Sequence, residues 1–581
     1  MSLPSTADRP RSAFSGKRSL LPAAAGLVLL AGLTTSCGGA AGGKASAAFD
    51  PATCQGGTLT VLAHVGQGKF DPAELYTSGG GKVPTLVFRT LTTRDHTTDG
   101  PNGAKVVPDL ATDTGEPSQD ATVWTYHLKP GLKFEDGTPI RSADIKYGIE
   151  RSFAPELPGG PPYLRDWLIG GEQYQGPYKG GGDLASIETP DDSTIIFKLT
   201  KPEGDFPYLA TATQFAPVPK DKDTGTDYQK HPISSGPYEV VSNDNGKQMV
   251  LARNPYWSRG IDDQRLACPD KIVYTSGLDQ SVINQRLMAS SGDDARAVSG
   301  DTDIDAGVLA RLNSDPALRK RVAVGTFGET YYLAFNPKVK PFDNPLVRQA
   351  ISYAVDRQAV INAVGGSAVA KPATTFLPDQ PAFGYTPYDY FPAGADGDPA
   401  KAKQVLAQAG YPNGLSITLS HDTGTPETGP SVATAVQQAL AKAGITVGLD
   451  PSADDDYDTK IQTPAQEPGF FLSGWGADWP SGGPFLAPIF DGRQILSEGG
   501  NFNTAQLDDP QVNAQIDAAN RLTDPAQSAK AWGQLDAELG KQAWLVPLFH
   551  PVYQRLFGTA VKNAYVSQWN GVYDLSRISV K

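Results

Sequence analysis

The sequence predicts an α/β protein built from more than one lobe, and three observations predict it. Strand-like and helix-like segments mix from Gly57 onward with neither type segregated. In the second half they alternate with short connections, the pattern of a layer whose neighbouring strands run parallel. At 581 residues the chain also exceeds the roughly 250–300 residues that one hydrophobic core organises.

The elements follow in order. Residues 58–62 alternate apolar and polar side chains as a strand does, and so do 124–128 and 194–199. Asn344 caps a helix with Pro345 at its first position, and Val347, Ala350, Ile351, Ala354 and Ile361 continue it at helical spacing until Gly365 and Gly366 stop it. Asp398-Pro399 starts another helix that Gly410 stops. A strand over 415–419, a helix over 432–443 with Gly444 as its stop, and a strand over 445–449 come next. The following apolar run, 469–472, ends in Ser473-Gly474-Trp475-Gly476-Ala477-Asp478-Trp479-Pro480. Ligands of parallel α/β layers sit beyond the carboxyl ends of strands. An aspartate between two tryptophans at such an end is therefore the best binding-site candidate in the chain. A last helix from Asp524-Pro525 to about Leu539 leads into a buried strand over 545–549.

Bulk properties narrow the partners. A formal charge of -13 argues against nucleic acid or an anionic membrane surface, both of which need clustered Lys and Arg. The 62 glycines and 48 prolines punctuate turns between apolar runs and form no low-complexity tract, and there is no internal repeat.

Only the N-terminus is biased. Arg9, Arg11, Lys17 and Arg18 precede an apolar run over 20–33 that is short for a membrane span of about 20 residues and reads as a secretory signal. Leu33-Thr34-Thr35-Ser36-Cys37-Gly38-Gly39 resembles a bacterial lipoprotein processing site, with Thr34 where such sites usually carry Leu, Val or Ile. Residues 1–37 are then a signal peptide ending at a lipid-bearing Cys37, and 38–55 a flexible Gly/Ala/Ser tether. The alternative is a plainly cleaved signal with an incidental cysteine. With Cys37 lipidated, Cys54 and Cys268 remain as an even pair in an oxidising compartment, for which a disulfide is expected; two buried free thiols are the alternative.

A search for chemistry finds little. His64, His96, His127, His231, His421 and His550 fall at no metal-ligand spacing, and there is no GxSxG elbow, P-loop or GxGxxG fingerprint. The acidic run 301–305 has Ala306 where a calcium loop needs glycine and Leu312 where it needs its bidentate Glu, so it and Asp454-Asp455-Asp456 read as solvated loops. No catalytic residue, metal site or cofactor is expected.

Several segments resemble family 5 of the extracellular solute-binding proteins, the oligopeptide, dipeptide and nickel receptors of ABC importers. Val107-Pro108-Asp109-Leu110-Ala111, the run from Trp124 to Pro139, Ala143-Asp144-Ile145 and Glu150-Arg151 look like its signature. Ser235-Gly236-Pro237-Tyr238, Arg253-Asn254-Pro255-Tyr256-Trp257, Phe335-Asn336, the run from Pro341 to Arg357 and the block from Ala402 to Gly414 follow in the family's order. The resemblance implies a periplasmic-binding-protein-like α/β fold with two main lobes closing by a hinge plus an inserted third domain. A discontinuous lobe I would take 56–90, 206–322 and 546–581, an inserted lobe II 91–205, and lobe III 323–545. Closure around the cargo would be read by the permease, with no chemical step.

Most matching residues are expected to serve the fold. Asp136 to Pro139 is a turn into a helix with Ser142 or Thr138 as cap, and Arg348, Asp356 and Arg357 are ion-paired supports. The exception is the site segment. In peptide receptors of the family the Asp of the matching Ala-Asp-aromatic sequence binds the terminal ammonium, and Asp478 matches it. Trp475 and Trp479 would wall the site, with Gly476 and Ala477 between them. Pro480-Ser481-Gly482-Gly483 departs from the family's usual continuation, which leaves cargo size and class open. The expected function is a monomeric, non-enzymatic receptor on the outer face of the bacterial cell membrane, or in a periplasmic space. It would deliver short peptides to ABC permease and ATPase subunits. A receptor for a nickel complex, an oligosaccharide or another small solute, a secreted hydrolase and a surface peptide sensor are the alternatives.

Overall fold

The computed structural model describes residues 54, 56–76, 83–96, 103–244, 246–312, 314–568 and 570–580. The signal peptide, Cys37 and nearly all of the tether lie outside the described residues. Among the described residues no helix is long and apolar enough to cross a membrane.

Four sheets organise the described residues. A five-stranded sheet joins Ala297–Ser299, Thr58–Leu62, Lys271–Thr275, Gln248–Arg253 and Tyr238–Asp244 in that order; Thr58–Leu62 runs parallel to both its neighbours, and the remaining pairs are antiparallel. A four-stranded antiparallel sheet joins Glu116–Pro117, Val123–His127, Thr194–Lys198 and Ile187–Asp191. Thr92–Arg94 pairs with Val106–Pro108. The largest sheet has seven strands, in the order Val322–Thr326, Leu545–Leu556, Glu329–Phe335, Phe470–Gly476, Leu415–Asp422 and Ile445–Ser452, with Ala370–Pro372 added against Leu545–Leu556.

The large sheet is buried on both faces, and the period of two in its strands assigns each residue to one of them. Leu333, Phe335, Phe470 and Leu472 enter one core with Val347, Ile351, Val436 and Leu440 of the covering helices. Tyr332, Ala334 and Phe471 enter the opposite core with Phe485, Phe490, Trp532 and Leu535. Each such side chain contributes roughly 1.5–3 kcal/mol through removal from water.

The helix starts obey the Asp/Asn-Pro rule. Asn344 accepts the Leu346 N–H, Asp398 that of Lys401 and Asp524 that of Gln527. The single helix expected from Pro345 to Gly365 is instead two, Pro345–Ala354 and Arg357–Ala363. Val355 is extended between them, and Asp356 accepts the Ala359 N–H and so caps a new helix. Neither Ser142 nor Thr138 caps Ser142–Arg151. Ser142 donates to the Asp191 carbonyl and Thr138 to Asp136, while Asp144 reaches back to the Arg141 N–H.

The acidic runs are more ordered than solvated loops. In the first, Asp301 accepts the His64 and Val65 N–H groups, Asp305 that of Val308 and Asp303 that of Gln554. The second run lies in the helix Asp454–Gln462 rather than in a loop, and Asp456 is exposed on it. The supporting arginines are held by carbonyls rather than ion pairs. Arg348 donates to Phe342, Gln542 and Ala543, and Arg357 to Ala373 and Pro547; Asp356 alone has an ion pair, with Lys442 at 3.3 Å. The boundary expected at 545/546 lies at the start of the long strand Leu545–Leu556, which is paired with Val322–Thr326 and Glu329–Phe335. Cys54 and Cys268 form the expected disulfide, with Cα atoms 4.6 Å apart.

Candidate functional site

Phe470–Gly476 runs parallel to Leu415–Asp422 and antiparallel to Glu329–Phe335, so its carboxyl end opens at the edge of the large sheet. The strand is longer than the apolar run 469–472 and carries Trp475 and Gly476 within it. Ala477 is buried and donates to the Gly328 carbonyl at 2.9 Å, which fixes the turn that brings Asp478 off the strand end.

Asp478 meets two residues far from it in sequence. Its Oδ2 accepts hydrogen bonds from the Tyr76 hydroxyl at 2.9 Å and from the Tyr163 hydroxyl. Burial pushes the carboxyl above the usual carboxylate range, against the opposing pull of the two hydroxyls and of Arg94. Arg94 is itself buried, which pushes its guanidinium down to about 9, and its Nη2 donates to the Asp478 carbonyl at 3.5 Å. The bonds on Oδ2 come from neutral donors, and a carboxylate in that setting is stabilised by an incoming cation.

The two tryptophans differ. Trp475 is half-buried; its indole donates to the Pro484 carbonyl at 2.9 Å and its ring packs on Phe502 at 4.6 Å. Trp479 is not an open wall. It is 5% exposed, because its indole N–H finds the Asp205 carboxylate at 2.9 Å and its ring fills an aromatic cluster, 4.9 Å from Tyr163 and 5.9 Å from Trp167. Among the described residues it is the one buried member of that core from outside 91–215. It therefore acts through Tyr163, holding that ring so that its hydroxyl reaches Asp478. Gly476 lies opposite Glu329, and a Cβ there would come within 3.1 Å of the Phe327 ring.

Tyr76, Arg94, Tyr163 and Asp205 carried no sequence signal. Tyr76 and Tyr163 precede Asp478 by 402 and 315 positions, and nothing local marks a tyrosine as a carboxylate partner. Beside the site, a cavity of about 220 Å³ opens at the carboxyl ends of Leu415–Asp422 and Phe470–Gly476. Among the described residues no group of three or more His, Cys, Asp or Glu is placed to hold a metal ion.

Residues 105–497 match the bacterial extracellular solute-binding proteins, family 5 middle segment. The glutathione-binding protein GsiB of Salmonella typhi is 27% identical over 463 residues, covering 77% of this chain and 80% of that one. Among solved structures, the clavulanic acid biosynthesis oligopeptide binding protein 2 is 36% identical, with a TM-score of 0.84 over 91% of this chain and 96% of its own. The periplasmic binding protein DppA from Helicobacter pylori, in complex with the peptide STSA, shares the fold at 22% identity, with a TM-score of 0.66 over 91% of this chain and 99% of its own.

Proposed function

The chain belongs to family 5 of the bacterial extracellular solute-binding proteins, and on that footing we propose that it captures short peptides and delivers them to the permease of an ABC importer. The observation that carries the reading is the Asp478 carboxylate, set beyond a strand end and hydrogen-bonded by two neutral hydroxyls. A peptide's terminal ammonium would add a direct charge-assisted bond at that carboxylate, beside the Arg94 guanidinium that already acts on it. The charge-assisted bond anchors one end of the cargo while its side chains vary.

Three chain segments meet at Asp478: Tyr76 from the first, Tyr163 from the segment around the four-stranded sheet, and Asp478 from the large sheet. A receptor that closes on its cargo needs such a meeting point, because ligand contacts made from more than one lobe favour the closed state. Lobe I over 56–90, 206–322 and 546–581, lobe II over 91–205 and lobe III over 323–545 are the bodies proposed to move. The paired strands Val322–Thr326 and Leu545–Leu556 are the natural hinge. A lipid on Cys37 would hold the receptor at the outer membrane face beside its permease and ATPase.

The likeness to an oligopeptide binding protein and to a glutathione-binding protein supports a peptide-sized cargo. Purified protein exposed to a mixed di- to pentapeptide library, with glutathione included, is expected to retain peptides identifiable by mass spectrometry. Asp478→Asn is expected to weaken their binding at least tenfold, since truncating one partner of a buried charge pair costs about 2–5 kcal/mol. Retention of no peptide by the unsubstituted protein would sink the reading. Equal retention by the variant would remove Asp478 from it.

A further inference from the structure

The described lining of the cavity beside Asp478 carries charge of one sign only. Glu329, Asp422 and Asp458 contribute three carboxylates to its lining, and no Lys, Arg or His is among the described lining residues. At about 220 Å³ it is smaller than the roughly 300–1,000 Å³ of pockets that enclose whole small-molecule ligands, so it suits a side chain rather than an entire cargo.

Two further lining residues are left with unmet hydrogen-bonding capacity. Asn501 is fully buried and Thr504 nearly so, and neither Asn501 Oδ1 nor Thr504 Oγ1 has a hydrogen-bond partner. An orphaned buried acceptor costs about 1–3 kcal/mol, which a donor entering the cavity would recover. The carboxyl of Glu329 is hydrogen-bonded, but by neutral donors. It accepts from the Tyr553 hydroxyl at 3.2 Å and from Tyr331, and the charged group acting on it is another carboxylate, Glu427. Burial pushes it up to about 7.

The location ties the cavity to Asp478. Gly474 and Ser473 in its wall belong to the strand that ends beside Asp478, and Phe502 in its wall packs on Trp475. Gly474 and Asp478 are four positions apart, which spans roughly 13 Å along an extended chain. A peptide anchored at Asp478 covers that span with two or three residues plus one side chain.

We propose that this cavity is a specificity subsite for a cationic side chain, so that the preferred cargo is a short peptide carrying Arg or Lys within its first three residues. The inference rests on the peptide-receptor reading above. A guanidinium or ammonium entering the cavity would meet Glu329, Asp422 and Asp458 and donate to Asn501. Asp422 is already held in shape by the Gly424 and Thr425 N–H groups and the Thr428 hydroxyl, so its charge is pre-positioned.

The test is calorimetric titration with Ala-Arg-Ala and with Ala-citrulline-Ala, which replaces the guanidinium by a neutral urea of the same shape. The unsubstituted protein is expected to bind the arginine peptide at least about tenfold more tightly, a difference of about 1.4 kcal/mol. Glu329→Gln and Asp458→Asn are each expected to bring that ratio toward one. Asp458 is exposed at the cavity rim, so its variant tests the charge without threatening the fold. Asp478→Asn is expected to weaken both peptides and leave the ratio in place. Binding of both peptides with a ratio near one, or a ratio unchanged in both cavity variants, overturns the subsite alone. Failure of both peptides to bind the unsubstituted protein overturns the peptide reading and the subsite with it.

Discussion

At Asp478 desolvation opposes the pull of two hydroxyls and of Arg94, and on the proposed role of this carboxylate the balance makes peptide binding sensitive to pH. Burial raises the carboxyl's pKa, and an ammonium can pair only with the ionised form. Acidification therefore protonates the site above the ordinary aspartate range of about 4, and peptide affinity is expected to fall as pH drops through that region. Dissociation constants measured from pH 7.5 to 4.5 should rise steadily for the unsubstituted protein and stay nearly flat for Asp478→Asn. A flat profile in both would show that Asp478 does not meet the cargo's charge. The candidate aspartate was legible because an Asp between aromatics at a strand end is a local feature. Trp479 was legible as part of the site and illegible in its role, since only the packed structure turns it away from the cleft and into the cluster behind Tyr163.

Elements divide in the same way. Caps at Asn344, Asp398 and Asp524 were readable because a capping side chain and the N–H it accepts lie within three residues. The break at Val355 was not, because apolar spacing continues across it and only the Asp356 cap divides the helix. Helix Ser142–Arg151 shows how contacts between elements escape a one-dimensional reading. Gly148 lies against the chain at Ala216 so closely that a Cβ would come within 2.2 Å of that carbonyl oxygen. Gly148→Ala raises helix propensity and yet is expected to destabilise the protein by about 1–3 kcal/mol through forced separation of the two segments. A thermal or urea midpoint equal to or above that of the parent would refute the close approach. The Cys54–Cys268 bridge closes a sequence separation of 214 residues and so constrains the unfolded chain heavily. Replacing both cysteines with Ala is expected to cost about 2–5 kcal/mol, seen as a lower denaturant midpoint. No change would mean that the loop entropy is already limited in the unfolded state.

Across the whole molecule, buried carboxyls set the pH at which the fold is most stable. Burial pushes Glu203 and Asp536 up to about 7 and Glu467 up to about 8. Such groups hold their proton more tightly folded than unfolded, so the stability they contribute is complete below about 4 and is lost as pH rises through 7 to 8. Asp109 behaves in the opposite sense. Although burial acts against it, Arg265 and Arg89 hold it below the usual range, so its contribution is present above about 4 and lost in acid. The melting temperature is therefore expected to peak near pH 4 to 5 and to fall steadily toward pH 8, since the raised carboxyls begin to lose their contribution as soon as the unfolded chain ionises at about pH 4. A maximum at pH 8 or above would contradict the burial of these groups.

The sequence by itself determined the α/β class, most strand and helix positions, the family signature, the Cys54–Cys268 pairing and the candidate aspartate. Those features are written in local periodicity, in caps a few residues long and in motif order. Only the tertiary structure decided which hydroxyls reach Asp478, that Trp479 packs behind Tyr163, and that Glu329, Asp422, Asp458 and Asn501 share one cavity. Each of those facts joins side chains tens to hundreds of residues apart, and the packing that joins them is settled by all three dimensions of the core at once.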